Sequence, residues 1–158
     1  MFKKLFVFVA VATVFVSCKK VSNDCPYTES SKVAPASEIA TLQTWVNASY
    51  PAAVQHSSGF YYEITSPGTG ATANLCSNVT VNYSLYLSNG TQIPQGSGPV
   101  TFTLGDLIVG WQKGIPLVKA GGSINLYLPP SLAYGSQANG PIPANSYLRF
   151  VIQVVSVN

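Results

Sequence analysis

The chain has 158 residues, of which 47% are hydrophobic and only 8% are charged, against roughly 25% charged residues in an average soluble domain. This length suits one folded domain with an N-terminal extension. From residue 18 onward, six Lys and Arg oppose five Asp and Glu, giving +1 instead of the +3 of the whole chain. A nearly neutral domain without a basic stripe argues against nucleic-acid binding, so we expect no nucleic-acid partner.

Residues 1–17 are typical of the signal peptide of a bacterial lipoprotein. Two lysines precede an apolar run at 5–16, which is shorter than the roughly 20 residues of a membrane span. Residues 15–18, Phe-Val-Ser-Cys, resemble a lipobox and predict lipidation of Cys18. We therefore expect a protein of the cell envelope, held at a membrane through a lipid anchor. The alternative is a buried N-terminal helix.

Cys25 and Cys76 remain as an even pair once Cys18 carries lipid. In an oxidising compartment such a pair predicts a disulfide, although two unpaired thiols are the alternative because sequence does not show that their Cα atoms meet. The bond would close a loop of about 50 residues.

Residues 18–34 are polar and rich in Ser, which predicts a tether. Residues 35–58 then predict an amphipathic helix and a connector, with Ser37 as the N-cap and the helix ending before Tyr50. Its apolar stripe favours packing on its own domain over an independent docking face. The stripe consists of Ile39, Leu42, Trp45 and Val46.

Residues 59–158 change to the two-residue periodicity of strands, with turns at Pro67-Gly68 and Asn89-Gly90. Residues 107–115 are too few for a long helix, and Pro116 follows them. The pattern predicts an α+β domain: an antiparallel sheet of five or six strands that wraps around one short helix, with an extra helix at the N-terminus.

Several ordered motifs between residues 60 and 157 carry a family resemblance. They are VNYSLYL with NGT, FTLG, IVGWQKGIPLVKAGG, LYLPPSLAYG and GPIPANSYLRF. Together they resemble the FKBP-type peptidyl-prolyl isomerases, and the leader is similar to that of membrane-anchored members from Gram-negative bacteria.

The resemblance implies a pocket for proline-containing segments. Taken alone, its aromatic residues would be interpreted as ordinary core. The implied catalytic residues are Tyr83, Trp111, Tyr134 and Phe150, and the implied substrate-binding residues are Ile93, Val100, Phe102, Leu107, Ile108 and Ile142.

The resemblance implies an isomerase that assists the folding of exported proteins without a metal or cofactor, and we expect a monomer. Ile93 and Pro94 stand where the family has an aromatic residue followed by Asp, which predicts weaker catalysis. The alternatives are a non-catalytic chaperone or assembly lipoprotein that binds proline segments, and a lipoprotein that uses the fold only as a scaffold.

Overall fold

The computed structural model describes residues 25–158. The expected signal peptide, the lipidated Cys18 and the first part of the tether lie outside the described residues. Within 25–158, no helix is long and apolar enough to span a membrane.

Residues 25–158 form two α-helices and a seven-stranded antiparallel sheet. The helices are α1 (Ala36–Ser49) and α2 (Val109–Gly114), and short 3₁₀ turns lie at Leu104–Asp106, Ile115–Leu117 and Pro130–Leu132. The strands are β1 (Val54–Gln55), β2 (Tyr61–Ser66), β3 (Asn78–Leu87), β4 (Gln92–Ile93), β5 (Val100–Thr103), β6 (Ser123–Leu128) and β7 (Leu148–Val157).

The strand order is β1-β2-β6-β7-β3-β4, and β5 pairs with β3. The longest pairing joins β3 to β7 from Val79 opposite Val157 to Leu87 opposite Leu148. The predicted fold class is confirmed, and the strand count exceeds five or six because β1 and β4 are strands of two residues each. Such short pairs are too brief for a periodic pattern to reveal.

The two helices cover opposite faces of the sheet. Leu126 and Leu128 of β6 point toward α2, where Gly110 and Gly114 leave room for their side chains, and a Cβ at either glycine would clash with them. Tyr127 lies between those leucines in sequence, so its side chain points to the other face, where α1 packs.

The apolar stripe of α1 packs on its own domain, as its pattern predicts. Leu42 and Val46 are fully buried against Tyr61 and Tyr127. The prediction of Ser37 as N-cap is wrong, because the helix begins at Ala36 with Pro35 in the cap position. The fixed φ of proline suits a helix start, and the Pro35 carbonyl accepts the first helical bond, from the Ile39 N–H, at 3.0 Å.

Residues 25–34 have no regular secondary structure, but they run along the domain. Cys25 and Cys76 form a disulfide with their Cα atoms 5.6 Å apart. Ala34 is buried, and its N–H donates to the Ser58 carbonyl at 3.0 Å. This part of the expected tether is therefore attached to the folded domain at both ends.

Candidate functional site: an aromatic cavity on Trp111

A cavity of about 230 Å³ opens between the concave face of the sheet and the segment that leads into α2. It is smaller than the roughly 300–1,000 Å³ of sites for drug-sized ligands, so it suits one or two side chains. Its lining consists of Tyr83, Phe102, Asp106, Leu107, Ile108, Trp111, Tyr134 and Phe150.

The indole of Trp111 forms the floor of this cavity, and only 4% of the residue is exposed. Three other rings meet it nearly at right angles, with centroid distances of 5.1 Å for Tyr83, 5.3 Å for Phe150 and 6.2 Å for Phe102. Edge-to-face contacts of this kind are favourable and hold the rings in fixed orientations. The indole N–H has no hydrogen-bond partner among the described residues, so a donor is left unused by the fold.

Leu107 and Ile108 form a wall that precedes α2. Because this wall is irregular backbone, its carbonyl groups need partners outside a helix or sheet. The Gln112 Nε2 donates to the Leu107 carbonyl at 2.7 Å and to the preceding Gly105 carbonyl at 2.9 Å. The Ile108 carbonyl accepts from the backbone N–H groups of Trp111 and Gln112 at 2.9 and 3.1 Å. The first turn of α2 therefore fixes the wall that comes before it.

Asp106 is the one charged residue in the lining of the cavity. Its Oδ1 accepts a hydrogen bond from the Tyr27 hydroxyl at 2.6 Å, and this bond raises the pKa of Tyr27. The Tyr27 ring lies directly on Gly105, where a side chain would clash with it. The N-terminal segment thus contacts the outer side of the cavity wall.

Two tyrosine hydroxyls supply polar groups near the mouth of the cavity. Burial raises the pKa of Tyr83, and burial followed by the nearby Tyr83 raises the pKa of Tyr134. Both hydroxyls therefore keep their protons at neutral pH and can donate. The Tyr83 hydroxyl donates to Gln95 Oε1 at 2.7 Å, and Gln95 Nε2 donates to the Ile93 carbonyl at 3.3 Å.

The structure brings seven of the ten predicted site residues into one cavity. Ile93 and Ile142, each 5% exposed, line an adjacent cavity that shares Tyr83 and Tyr134 with the first. Val100 lines neither cavity and packs against the core. Phe102 lines the cavity but is more exposed than Trp111 and Phe150.

Three polar residues of the site were missed from the sequence. Asp106 directly precedes the predicted wall, so its position was a signal, because a lone acidic residue next to a pocket segment merits attention. Gln95 and Gln112 offered no such signal, since an isolated glutamine is usually a solvated surface residue.

A larger cleft of about 740 Å³ lies beside the disulfide, between the N-terminal segment and residues 73–77. It is open to solvent and has no aromatic floor. Its lining includes Tyr27, Gln112 and Pro116. We place the site in the smaller cavity because convergent aromatic rings and tyrosine hydroxyls occur there.

Residues 25–158 contain no cluster of His, Cys, Asp and Glu suited to hold a metal ion. His56, the only histidine of the chain, lies in a loop, where its Nδ1 accepts from the Ser58 N–H at 3.1 Å and its ring stacks on Phe60. Burial lowers the pKa of His56. The cavity is mostly apolar, with two tyrosine hydroxyls and the Asp106 carboxyl group, and its lining pairs no nucleophile with a base.

A wrapped sheet with such a cavity is suited to bind a small apolar group. A model of the FKBP-type peptidyl-prolyl cis-trans isomerases matches residues 70–155. The chain therefore belongs to this family, as its motifs predict.

Several relatives support this assignment. An FKBP-type peptidyl-prolyl isomerase FkpA of Buchnera aphidicola subsp. Schizaphis graminum is 41% identical over 107 residues, which cover 64% of this chain and 42% of the relative. The outer membrane protein MIP of Legionella longbeachae is 36% identical over 115 residues, which cover 70% of this chain and 49% of the relative. The matches thus span less than half of these relatives' own lengths.

Solved structures agree with the fold. The crystal structure of FkpA from Escherichia coli matches with a TM-score of 0.70 and 30% identity, covering 78% of this chain and 60% of that one. An isomerase from Pseudomonas syringae matches with a TM-score of 0.68 and 26% identity, covering 79% of this chain and 97% of that one.

Proposed function

We propose that this chain catalyses cis–trans isomerisation of Xaa-Pro peptide bonds in the cavity on Trp111. The observation that carries the proposal is an apolar cavity with an aromatic floor and protonated tyrosine hydroxyls at its mouth. The family supports the same reaction, because the relatives matched are named as peptidyl-prolyl isomerases.

The reaction makes and breaks no covalent bond. Its barrier of roughly 18–20 kcal/mol comes from the resonance that keeps the peptide planar. Twisting the amide removes that resonance and its charge separation, so a water-poor cavity disfavours the planar ground state more than the twisted transition state. Trp111 and Phe150 supply the apolar surface for the prolyl ring.

Tyr134 is the proposed positioning donor. Its hydroxyl would bind a carbonyl of the substrate and hold the turn around the proline in a geometry close to the transition state. Because its pKa is raised, the hydroxyl remains a donor at neutral and mildly alkaline pH.

The specific substrates we propose are proline-containing segments of exported proteins. The predicted signal peptide at 1–17 and the lipobox-like motif ending at Cys18 support export and lipid anchoring in the cell envelope, and a relative is named an outer membrane protein. Xaa-Pro isomerisation takes tens to hundreds of seconds uncatalysed, so it limits the folding of such proteins.

A second candidate function is the binding of proline segments without turnover. The observation in its favour is that Ile93 and Pro94 provide no acidic side chain next to Tyr83. Gln95 offers Tyr83 an acceptor instead, but as a neutral amide. A binder would show affinity for Xaa-Pro peptides and no acceleration.

A protease-coupled assay on a proline tetrapeptide tests the proposal, with wild type, Trp111→Ala and Tyr134→Phe compared. We expect wild type to accelerate isomerisation, Trp111→Ala to lose about 100-fold in kcat/KM through loss of the floor, and Tyr134→Phe to lose about tenfold through one hydrogen bond. Thr41→Ala on the outer face of α1 is the control. An isomerisation rate with wild type equal to the spontaneous rate would rule out the proposed catalysis.

A further inference from the structure

A hydrogen bond to a carboxylate joins helix α1 to the loop that carries Tyr134. Glu38 lies in the first turn of the helix. Its Oε2 accepts a hydrogen bond from the Ser131 backbone N–H at 3.0 Å, across 93 residues of sequence. Hydrogen bonds to a carboxylate are roughly twice as strong as those between neutral groups.

The loop depends on an external acceptor at this point. Pro129 and Pro130 have no N–H to donate, so Ser131 provides the first backbone donor after β6. The donors that follow stay within the loop, with the Leu132 N–H bound to the Pro129 carbonyl at 3.1 Å and the Gly135 N–H bound to the Pro130 carbonyl at 2.8 Å. Glu38 therefore ties an internally bonded turn to the rest of the domain.

The helix that supplies this acceptor is itself firmly held. Leu42 and Val46 bury their side chains completely against the sheet. Ile39, the neighbour of Glu38, packs on the main core next to Gly59. Glu38 thus projects from a fixed point, and Tyr134 follows Ser131 by three residues in the loop that it holds.

We infer that Glu38 is a positioning residue that fixes the Tyr134 loop, so that α1 takes part in the activity although it lies outside the family match at 70–155. The expected effect of Glu38 on the catalytic rate rests on the proposed function. The effect of Glu38 on the position of the loop can be measured separately.

The test compares Glu38→Ala, Glu38→Gln and Gln43→Ala in the full chain. Gln43 is an exposed residue of α1 and makes no side-chain hydrogen bond within the described part of the chain, so its variant controls for changes in helix propensity. Glu38→Ala removes the acceptor, whereas Glu38→Gln keeps an amide oxygen that can accept from Ser131. We expect kcat/KM to fall about tenfold in Glu38→Ala, to recover most of the loss in Glu38→Gln, and to stay unchanged in Gln43→Ala.

Combination with Tyr134→Phe separates positioning from general destabilisation. If Glu38 acts through Tyr134, Glu38→Ala lowers kcat/KM much less in the Tyr134→Phe background than in wild type, since interacting residues are not additive. Equal losses in both backgrounds would overturn the inference.

Two NMR readouts do not require activity. We expect the Ser131 amide to exchange with solvent faster, and the Tyr134 ring signals to shift, in Glu38→Ala but not in Gln43→Ala. If wild type proves inactive, the proposed function fails while these readouts still decide the role of Glu38. An unchanged exchange rate of the Ser131 amide and unchanged Tyr134 ring signals in Glu38→Ala would contradict a positioning role for Glu38.

Discussion

Tyr83 has a hydrogen-bond acceptor although neither Ile93 nor Pro94 offers an acidic group. Gln95, one residue later, accepts from the Tyr83 hydroxyl at 2.7 Å. The Tyr83 ring in turn stands edge-on to Trp111. Because Trp111 holds the Tyr83 ring and Gln95 holds its hydroxyl, Gln95 helps to orient Tyr83 although Gln95 itself does not line the cavity.

Substitution of Gln95 tests this arrangement. Gln95→Ala removes the acceptor, and we expect kcat/KM on a proline tetrapeptide to fall about three- to tenfold, the effect of one partly exposed hydrogen bond. Gln95→Glu keeps an acceptor at the same distance, so we expect it to retain the activity of wild type or to exceed it.

The matched control for Gln95 is Gln92→Ala, because Gln92 is an exposed residue of the neighbouring strand β4. Activity losses of the same size in Gln92→Ala and Gln95→Ala would show that the loop tolerates no change, and would refute a specific role for Gln95.

At the scale of elements, the N-terminal segment at 25–34 is bound to the start of β3 and to the wall before α2. The Cys25–Cys76 disulfide closes a loop across a sequence separation of 51 residues. In the chain-entropy model, such a cross-link lowers the entropy of the unfolded chain and stabilises the fold by about 4 kcal/mol. The Tyr27–Asp106 hydrogen bond lies two residues beyond this anchor.

Removal of the disulfide is expected to weaken the whole domain. The Cys25→Ser, Cys76→Ser double variant should lose about 2–4 kcal/mol of unfolding free energy, with a lower urea midpoint and a similar slope. Wild type measured with and without a reductant provides the control, since reduction should reproduce the loss. An unchanged midpoint in both experiments would show that the bond does not constrain the unfolded chain.

At the scale of the whole molecule, the described residues before the family match lie on two sides of the cavity. Tyr27 contacts Asp106, which directly precedes the wall, and Glu38 contacts Ser131 in the loop that carries Tyr134. The segment at 25–69 thus adds supports to a site that residues 70–155 build. The Glu38 contact gives a backbone N–H its acceptor, whereas the Tyr27 contact joins two side chains.

The elements with strong periodicity were predictable from sequence. The alternation in β3 and β7 indicated their buried faces. Trp111 became a site candidate only through the family resemblance, because a buried aromatic residue on its own indicates ordinary core. The contacts of Glu38 with Ser131 and of Tyr27 with Asp106 were not predictable, because partners 93 and 79 residues apart leave no local pattern. The start of α1 was also missed, since Ser37 and Pro35 both suit a helix N-terminus.

The central claim is that the cavity on Trp111 catalyses rotation about an Xaa-Pro bond, and NMR exchange spectroscopy on a proline tetrapeptide measures that rotation directly. With a small molar fraction of the wild-type chain, the account predicts faster cis-to-trans and trans-to-cis exchange by the same factor, because a catalyst lowers one barrier and leaves the equilibrium unchanged. The account would be contradicted by exchange rates equal to those of the free peptide at a protein concentration where the peptide signals shift on binding. That result would indicate a protein that binds proline segments without catalysing their isomerisation.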